Sequence, residues 1–140
     1  MNTSVMKEFT FAAGHRLQNH KGKCRRLHGH TYTARIFVRA TLNTTSGASS
    51  EGMVVDFDVI KQAWAPIDTE LDHRFLLSYE DPLLSMLLGD EPESVVVFPG
   101  PPTAEAIAAW IYGRMIVTLP DLEAVMIYES PTSFAEVCGE

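Results

Sequence analysis

His28-Gly29-His30 lies in a stretch of strand character, and period two sends both imidazoles to the same face, close enough to share one metal ion. Gly29 leaves the opposite face unobstructed. His15 falls on a neighbouring strand by the same pattern and supplies a third nitrogen. Three nitrogen ligands leave zinc a fourth position for water or substrate, which is the catalytic rather than the structural arrangement. An isolated His-x-His pair is as readily a pair of satisfied polar residues. Three histidines beside a basic segment argue for the metal.

Cys24 comes four residues before His28 and is flanked by Lys23, Arg25 and Arg26, cations that favour a thiolate. A thiolate here is either a fourth ligand that closes the site or a general base beside it; a lone cysteine can equally be a small buried hydrophobe. Residues 16–26 hold Arg16, His20, Lys21, Lys23, Arg25 and Arg26 and no acidic residue. That is the composition of a solvated loop, or of a local field for an anion such as phosphate. Adjacent Asp72 and His73 can meet in a turn, where the carboxylate orients the imidazole for proton transfer. Glu129 closes a strand pattern, and Glu105 complements the dipole of a helix beginning at Thr103.

The elements that must position these groups are legible as periods. Residues 7–13 alternate, with Phe9, Phe11, Ala13 and then His15 on one face. Residues 27–41 alternate too, with His28, His30, Tyr32, Ala34, Ile36, Val38 and Ala40 sharing a face, as in an antiparallel sheet with one solvated side. Residues 44–52 read as a hairpin loop and 53–57 as a further strand. Asp58 is placed to cap a helix with the stripe Ile60, Ala63, Trp64 and Ile67, which Pro66 should kink or shorten. A second helix runs from Thr103 to about Leu119, with Ile107, Trp110, Ile111, Arg114 and Met115 in its stripe, before Pro120. Residues 122–129 form the last strand. The order is β-β-β-α-(insert)-α-β, an α+β domain over residues 1–140 with its helices on one face of the sheet.

Size and composition agree. A chain of 140 residues, 46% hydrophobic and 21% charged, can bury a real core. Its net charge of −7 weighs against nucleic acid as a partner. No apolar run nears the roughly 18 residues that cross a membrane, and the N-terminal residues lack the apolar stretch of a signal peptide. Two cysteines make no disulfide framework and imply a reducing cytoplasm.

The segments Phe11-Ala12-Ala13-Gly14-His15-Arg16-Leu17 and Cys24-Arg25-Arg26-Leu27-His28-Gly29-His30 resemble the 6-pyruvoyltetrahydropterin synthase superfamily. Val55-Asp56-Phe57, Leu71-Asp72-His73, Pro102-Thr103-Ala104-Glu105 and Ile127-Tyr128-Glu129 look like that superfamily's further landmarks, in its order. Three residues between Cys24 and His28 resemble the queuosine-pathway branch, the 6-carboxytetrahydropterin synthases. The resemblance implies the tunnelling fold, in which subunits join an antiparallel sheet, two helices packed on one face, into an oligomeric barrel of four or six copies with sites at the interfaces. It implies a zinc ion on His15, His28 and His30. The implied substrate is 7,8-dihydroneopterin triphosphate, converted to 6-carboxytetrahydropterin, acetaldehyde and triphosphate.

By the same resemblance Cys24 is the base, His73 oriented by Asp72 relays protons, and Glu129 anchors the pterin. Thr103 then joins the substrate site, and Arg16 and Lys23 of the basic loop meet the triphosphate. Three departures stand out: residues 78–100 are longer than the connection in compact members, Leu77 replaces a frequent asparagine, and Pro101 replaces a residue often polar. The competing readings are a pyruvoyltetrahydropterin synthase, which eliminates triphosphate and keeps the side chain, and a non-catalytic zinc-binding assembly module. An aldolase or cyclohydrolase of the same fold does not match the Cys24-to-His30 segment.

Overall fold

A computed structural model describes residues 1–139 of the chain. At its centre two long strands, β1 (Asn2–His15) and β2 (His28–Thr41), run antiparallel and pair along their whole length, from Asn2↔Thr41 to His15↔His28. Period two does what the sequence promised. Phe11, Ala13 and His15 of β1 and Tyr32, Ala34, Ile36 and Val38 of β2 point to the same face and are buried. Phe11 stacks on Tyr32 at 5.0 Å and Phe9 on Trp64 at 4.8 Å, tying the ribbon to the helical layer.

Beyond β2 lies β5 (Leu122–Ser130), antiparallel to it with a register shift at Phe37/Val38. The chain then turns at Pro131-Thr132 into the antiparallel edge strand β6 (Ser133–Cys138). On the other side of β1 come β3 (Arg74–Ser78) and β4 (Val95–Phe98), both parallel to their neighbours. The sheet is six-stranded and mixed, in the order β4-β3-β1-β2-β5-β6. Helices α1 (Phe57–Leu71) and α3 (Ala104–Met115) lie on its buried face; α2 (Leu83–Asp90) crosses from β3 to β4. Each large core side chain so buried contributes about 1.5–3 kcal/mol. Leu77, Leu84 and Val95 form a small separate cluster beneath α2.

The α+β class and the pair of helices on one face match the expectation, while several boundaries differ. The sheet is antiparallel only from β1 to β6; β3 and β4 add a parallel half. Residues 53–57 form no strand, because no neighbour offers them a ladder. Met53 is spent closing the loop through Asn43, whose N–H donates to its carbonyl at 2.8 Å. Asp56, not Asp58, caps α1, accepting the Asp58 N–H at 2.8 Å. The helix is not shortened at Pro66. α3 ends at Met115, four residues early, where the β-branched run Ile116-Val117-Thr118 begins. Residues 78–100 fold into α2, a short helical turn at Pro92–Ser94, and β4. No helix among the described residues is long and apolar enough to cross a membrane.

Candidate metal centre and its cleft

His15 and His28 face each other directly across the β1–β2 ladder, and His30 stands opposite Ala13 on the same face. The ligating atoms of the three lie within 4.8 Å of one another. Main-chain carbonyls steer two of the rings: His15 Nδ1–H donates to Pro102 at 2.8 Å, and His28 Nδ1–H to Arg26 at 2.7 Å. Each Nε2 is thereby left with its lone pair, the state a metal requires. His15 is 2% exposed, and its burial pushes the imidazole below the ordinary histidine pKa, so it is held neutral. His15 Nε2 and His30 Nε2 are buried with no hydrogen-bond partner. Buried acceptors left unpaired cost about 1–3 kcal/mol each, and three convergent imidazoles are a fitting donor set for zinc.

Glycines let the ribbon close at this end. A Cβ on Gly29 would come within 2.9 Å of the Ala13 carbonyl oxygen, and one on Gly14 within 2.6 Å of the Phe75 ring. Gly29 is thus needed for backbone approach, a tighter constraint than the open face foreseen from sequence.

Beside the histidines a cleft of about 230 Å³ is lined by His15, Cys24, Thr103, Glu105 and Glu129. Cys24 is half-buried on a single helical turn (Lys23–Arg25), and its carbonyl accepts the Leu17 N–H at 2.8 Å. Thr103 caps α3, its hydroxyl accepting the Ala106 N–H at 3.1 Å. Glu129 reaches toward the triad, with Oε1 4.0 Å from His15 Nε2 and Oε2 3.9 Å from His30 Nε2. Glu105 is a cleft residue the sequence reading left as a helix-dipole partner. Its place two residues after Thr103, at the end of the helix that touches His15 through Pro102, is the signal that marks it.

Asp72 and His73 lie elsewhere. His73 lines a second depression, of about 530 Å³, with Ala12, Gly14, His28, Gly29 and His30, and Cys24 is not part of it. Asp72 Oδ1 accepts the Ala12 N–H at 2.8 Å, and this bond holds its carboxyl below the usual range; Oδ2 accepts His73 Nδ1–H at 2.7 Å. The His73 N–H donates to the Ala12 carbonyl at 2.6 Å, its φ is +60°, and its side chain is 82% exposed. The imidazole is clamped at its root and open at Nε2. Lys23 is exposed beside Cys24. Arg16 donates Nε–H to Asp81 Oδ2 at 2.7 Å and Nη2–H to Asp81 Oδ1, so that edge of its guanidinium is already filled.

Residues 4–140 match the family model described as 6-pyruvoyl tetrahydropterin synthase. The 6-carboxy-5,6,7,8-tetrahydropterin synthase of Synechocystis sp. is 40% identical over 94% of this chain and 89% of its own length. The enzyme of that name from Haemophilus influenzae is 32% identical over 94% and 96%. Among solved structures, an uncharacterised protein from Wolinella succinogenes superposes with a TM-score of 0.84 at 27% identity, covering 100% of this chain and 99% of that one. The Caenorhabditis elegans 6-pyruvoyl tetrahydropterin synthase shares the fold, with a TM-score of 0.73 at 22% identity over 100% and 97% of the two chains.

Proposed function

The chain belongs to the 6-pyruvoyl tetrahydropterin synthase family, and we propose that it is a carboxy-forming member: a lyase converting 7,8-dihydroneopterin triphosphate and one water to 6-carboxy-5,6,7,8-tetrahydropterin, acetaldehyde and triphosphate. The observation that carries this reading is the cleft itself, where a thiol, two carboxylates and His15 of the convergent histidine triad face one space, while His28 and His30 line the second depression. Zinc held by His15, His28 and His30 would draw electron density from the substrate's side-chain hydroxyls and acidify the neighbouring C–H.

The remaining roles belong to the protein. Cys24 Sγ takes the carbon-bound proton from within the cleft. Glu129 accepts the paired N–H donors of the pterin's pyrimidine edge, with Glu105 and Thr103 lining the same cleft. Lys23 and its neighbours Arg25 and Arg26 meet the triphosphate, whereas Arg16 is engaged by Asp81. His73 relays protons at Nε2 while Asp72 fixes the Nδ1–H tautomer. Because Cys24 and His73 line different depressions of one subunit, we read the working site as completed by the Asp72–His73 pair of a neighbouring copy. A homo-oligomer of four or six, joined through the edges of β4 and β6, would supply it. Two free cysteines accord with a reducing cytoplasm, and the product with queuosine synthesis.

Product analysis by mass spectrometry, with zinc-loaded protein and 7,8-dihydroneopterin triphosphate, tests the reading. Acetaldehyde and the carboxy pterin are expected. Triphosphate released without acetaldehyde would make it a pyruvoyl-type synthase, and no turnover at all would leave a zinc-binding module. The relatives' shared name and the three-residue spacing from Cys24 to His28 favour the carboxy product.

A further inference from the structure

Segment 78–100 brings a buried carboxylate against the start of the basic segment. Asp81 opens the turn into α2, and its side chain is 1% exposed. Three donors converge on it: Arg16 Nε–H, Arg16 Nη2–H and the Leu83 N–H at 2.9 Å. A carboxylate buried this deeply is tolerated only when so paired. Arg16 follows the ligand His15 directly and is the first residue of segment 16–27, which carries Cys24. One residue on, the Leu17 N–H donates to the Cys24 carbonyl at 2.8 Å. The ion pair therefore fastens the root of the thiol-bearing segment to the turn between β3 and α2.

We propose that Asp81 is a positioning residue for Cys24: by closing on Arg16 it fixes the path of segment 16–27 and so the placement of the thiol in the cleft. The insert is then a brace for the reactive segment. The proposal rests on the reading of Cys24 as the base, but its first test does not depend on turnover. Segment 16–27 has few restraints of its own, a three-residue helical turn and a handful of main-chain bonds. An external clamp is what such a segment needs to hold a side chain in reacting geometry.

The experiment uses the zinc-loaded full chain and three variants. Asp81→Asn keeps an oxygen to cap Leu83 but breaks the two-pronged contact with Arg16. Arg16→Lys keeps the charge opposite Asp81 and loses only the fork, so it serves if Asp81→Asn does not fold. Leu84→Ala loosens α2 from the small cluster beneath it and leaves the ion pair alone. Alkylation by iodoacetamide is read by peptide mass, with exposed Cys138 as the internal reference. The Cys24-to-Cys138 rate ratio should rise severalfold in Asp81→Asn or Arg16→Lys and stay unchanged in Leu84→Ala. With substrate, kcat should fall roughly tenfold or more at similar KM and full zinc content, the scale of loss for a slightly misplaced group. An unchanged ratio in both ion-pair variants, or an equal rise in Leu84→Ala, overturns the proposal. If the unmodified chain fails to turn over the pterin, the functional reading falls while the alkylation ratio still decides the role of Asp81.

Discussion

The histidine end of the β1–β2 ribbon and the thiol segment beside it meet at one cleft through His15 and Cys24, but they are built in opposite ways. The three histidines stand on paired strands, two with rings steered by main-chain carbonyls, so their geometry is a property of the sheet. Cys24 stands on a segment with one short helical turn, fastened from outside through Arg16 and Asp81. On the proposed reading, the groups that would hold an ion in fixed geometry come from the regular ladder. The group that would meet a changing substrate comes from a loop with tied ends.

Five measurements test that contrast. The largest effect is expected at the ladder: His28→Ala should lose zinc and turnover together, since two nitrogens no longer make the site. A variant with full zinc would dissolve the assignment. Cys24→Ala should keep zinc and bind pterin yet lose roughly 10²–10⁴-fold in kcat, the usual worth of general-base catalysis. Zinc lost with activity would make the thiol a ligand and erase the distinction between the two regions. Glu129→Gln replaces an acceptor with a donor facing the pterin, so affinity should fall by about 1–3 kcal/mol, roughly 5- to 150-fold, with zinc normal. Calorimetric titration decides it, and equal affinity would place the pterin ring elsewhere.

Gly29→Ala drives a methyl toward the Ala13 carbonyl and should part the strands between the histidine pairs. Denaturant unfolding should show a loss of about 1–3 kcal/mol together with weaker zinc retention. Stability loss with unchanged zinc affinity would mean the triad does not depend on the ladder. The smallest effect concerns acid. Arg16 holds the Asp81 carboxyl below its ordinary pKa, so the stabilisation is present at neutral pH and fades as pH falls through that depressed value. The stability gap between the parent and Asp81→Asn should therefore narrow from pH 7 to pH 3 by on the order of 1 kcal/mol. A constant gap in urea titrations would show that the ion pair is not what ties the segment.

The same contrast explains what could be seen in the sequence. The triad, both long strands and the stripe of α1 were legible because period two and period 3.6 are local properties. In α3 the expected stripe holds for Ile107, Ile111 and Met115, but Arg114 is exposed and paired with Glu70, and Ala108 is buried instead. Strands β3 and β4 are short continuous apolar runs, Phe75-Leu76-Leu77 and Val95-Val96-Val97-Phe98, which periodicity does not separate from buried helix. Strand β6 alternates but is short and mostly exposed, so its apolar face is weak. The clamp was beyond reach for a different reason: Arg16 and Asp81 are separated by 65 positions, and only the topology brings them together. The basic loop likewise gave its composition but not the engagement of its first arginine.

His73 occupies the left-handed region at φ +60° with its side chain largely in solvent. An L-residue held there costs about 1 kcal/mol, which glycine would not incur and which asparagine tolerates better. On the proposed role of His73 as a proton relay, folding and chemistry favour different residues at position 73. A library screened for thermal stability alone should drift at this position toward glycine or asparagine, giving sturdier and inactive proteins. Such a trade-off is a fingerprint of function readable from stability data, with no substrate in hand.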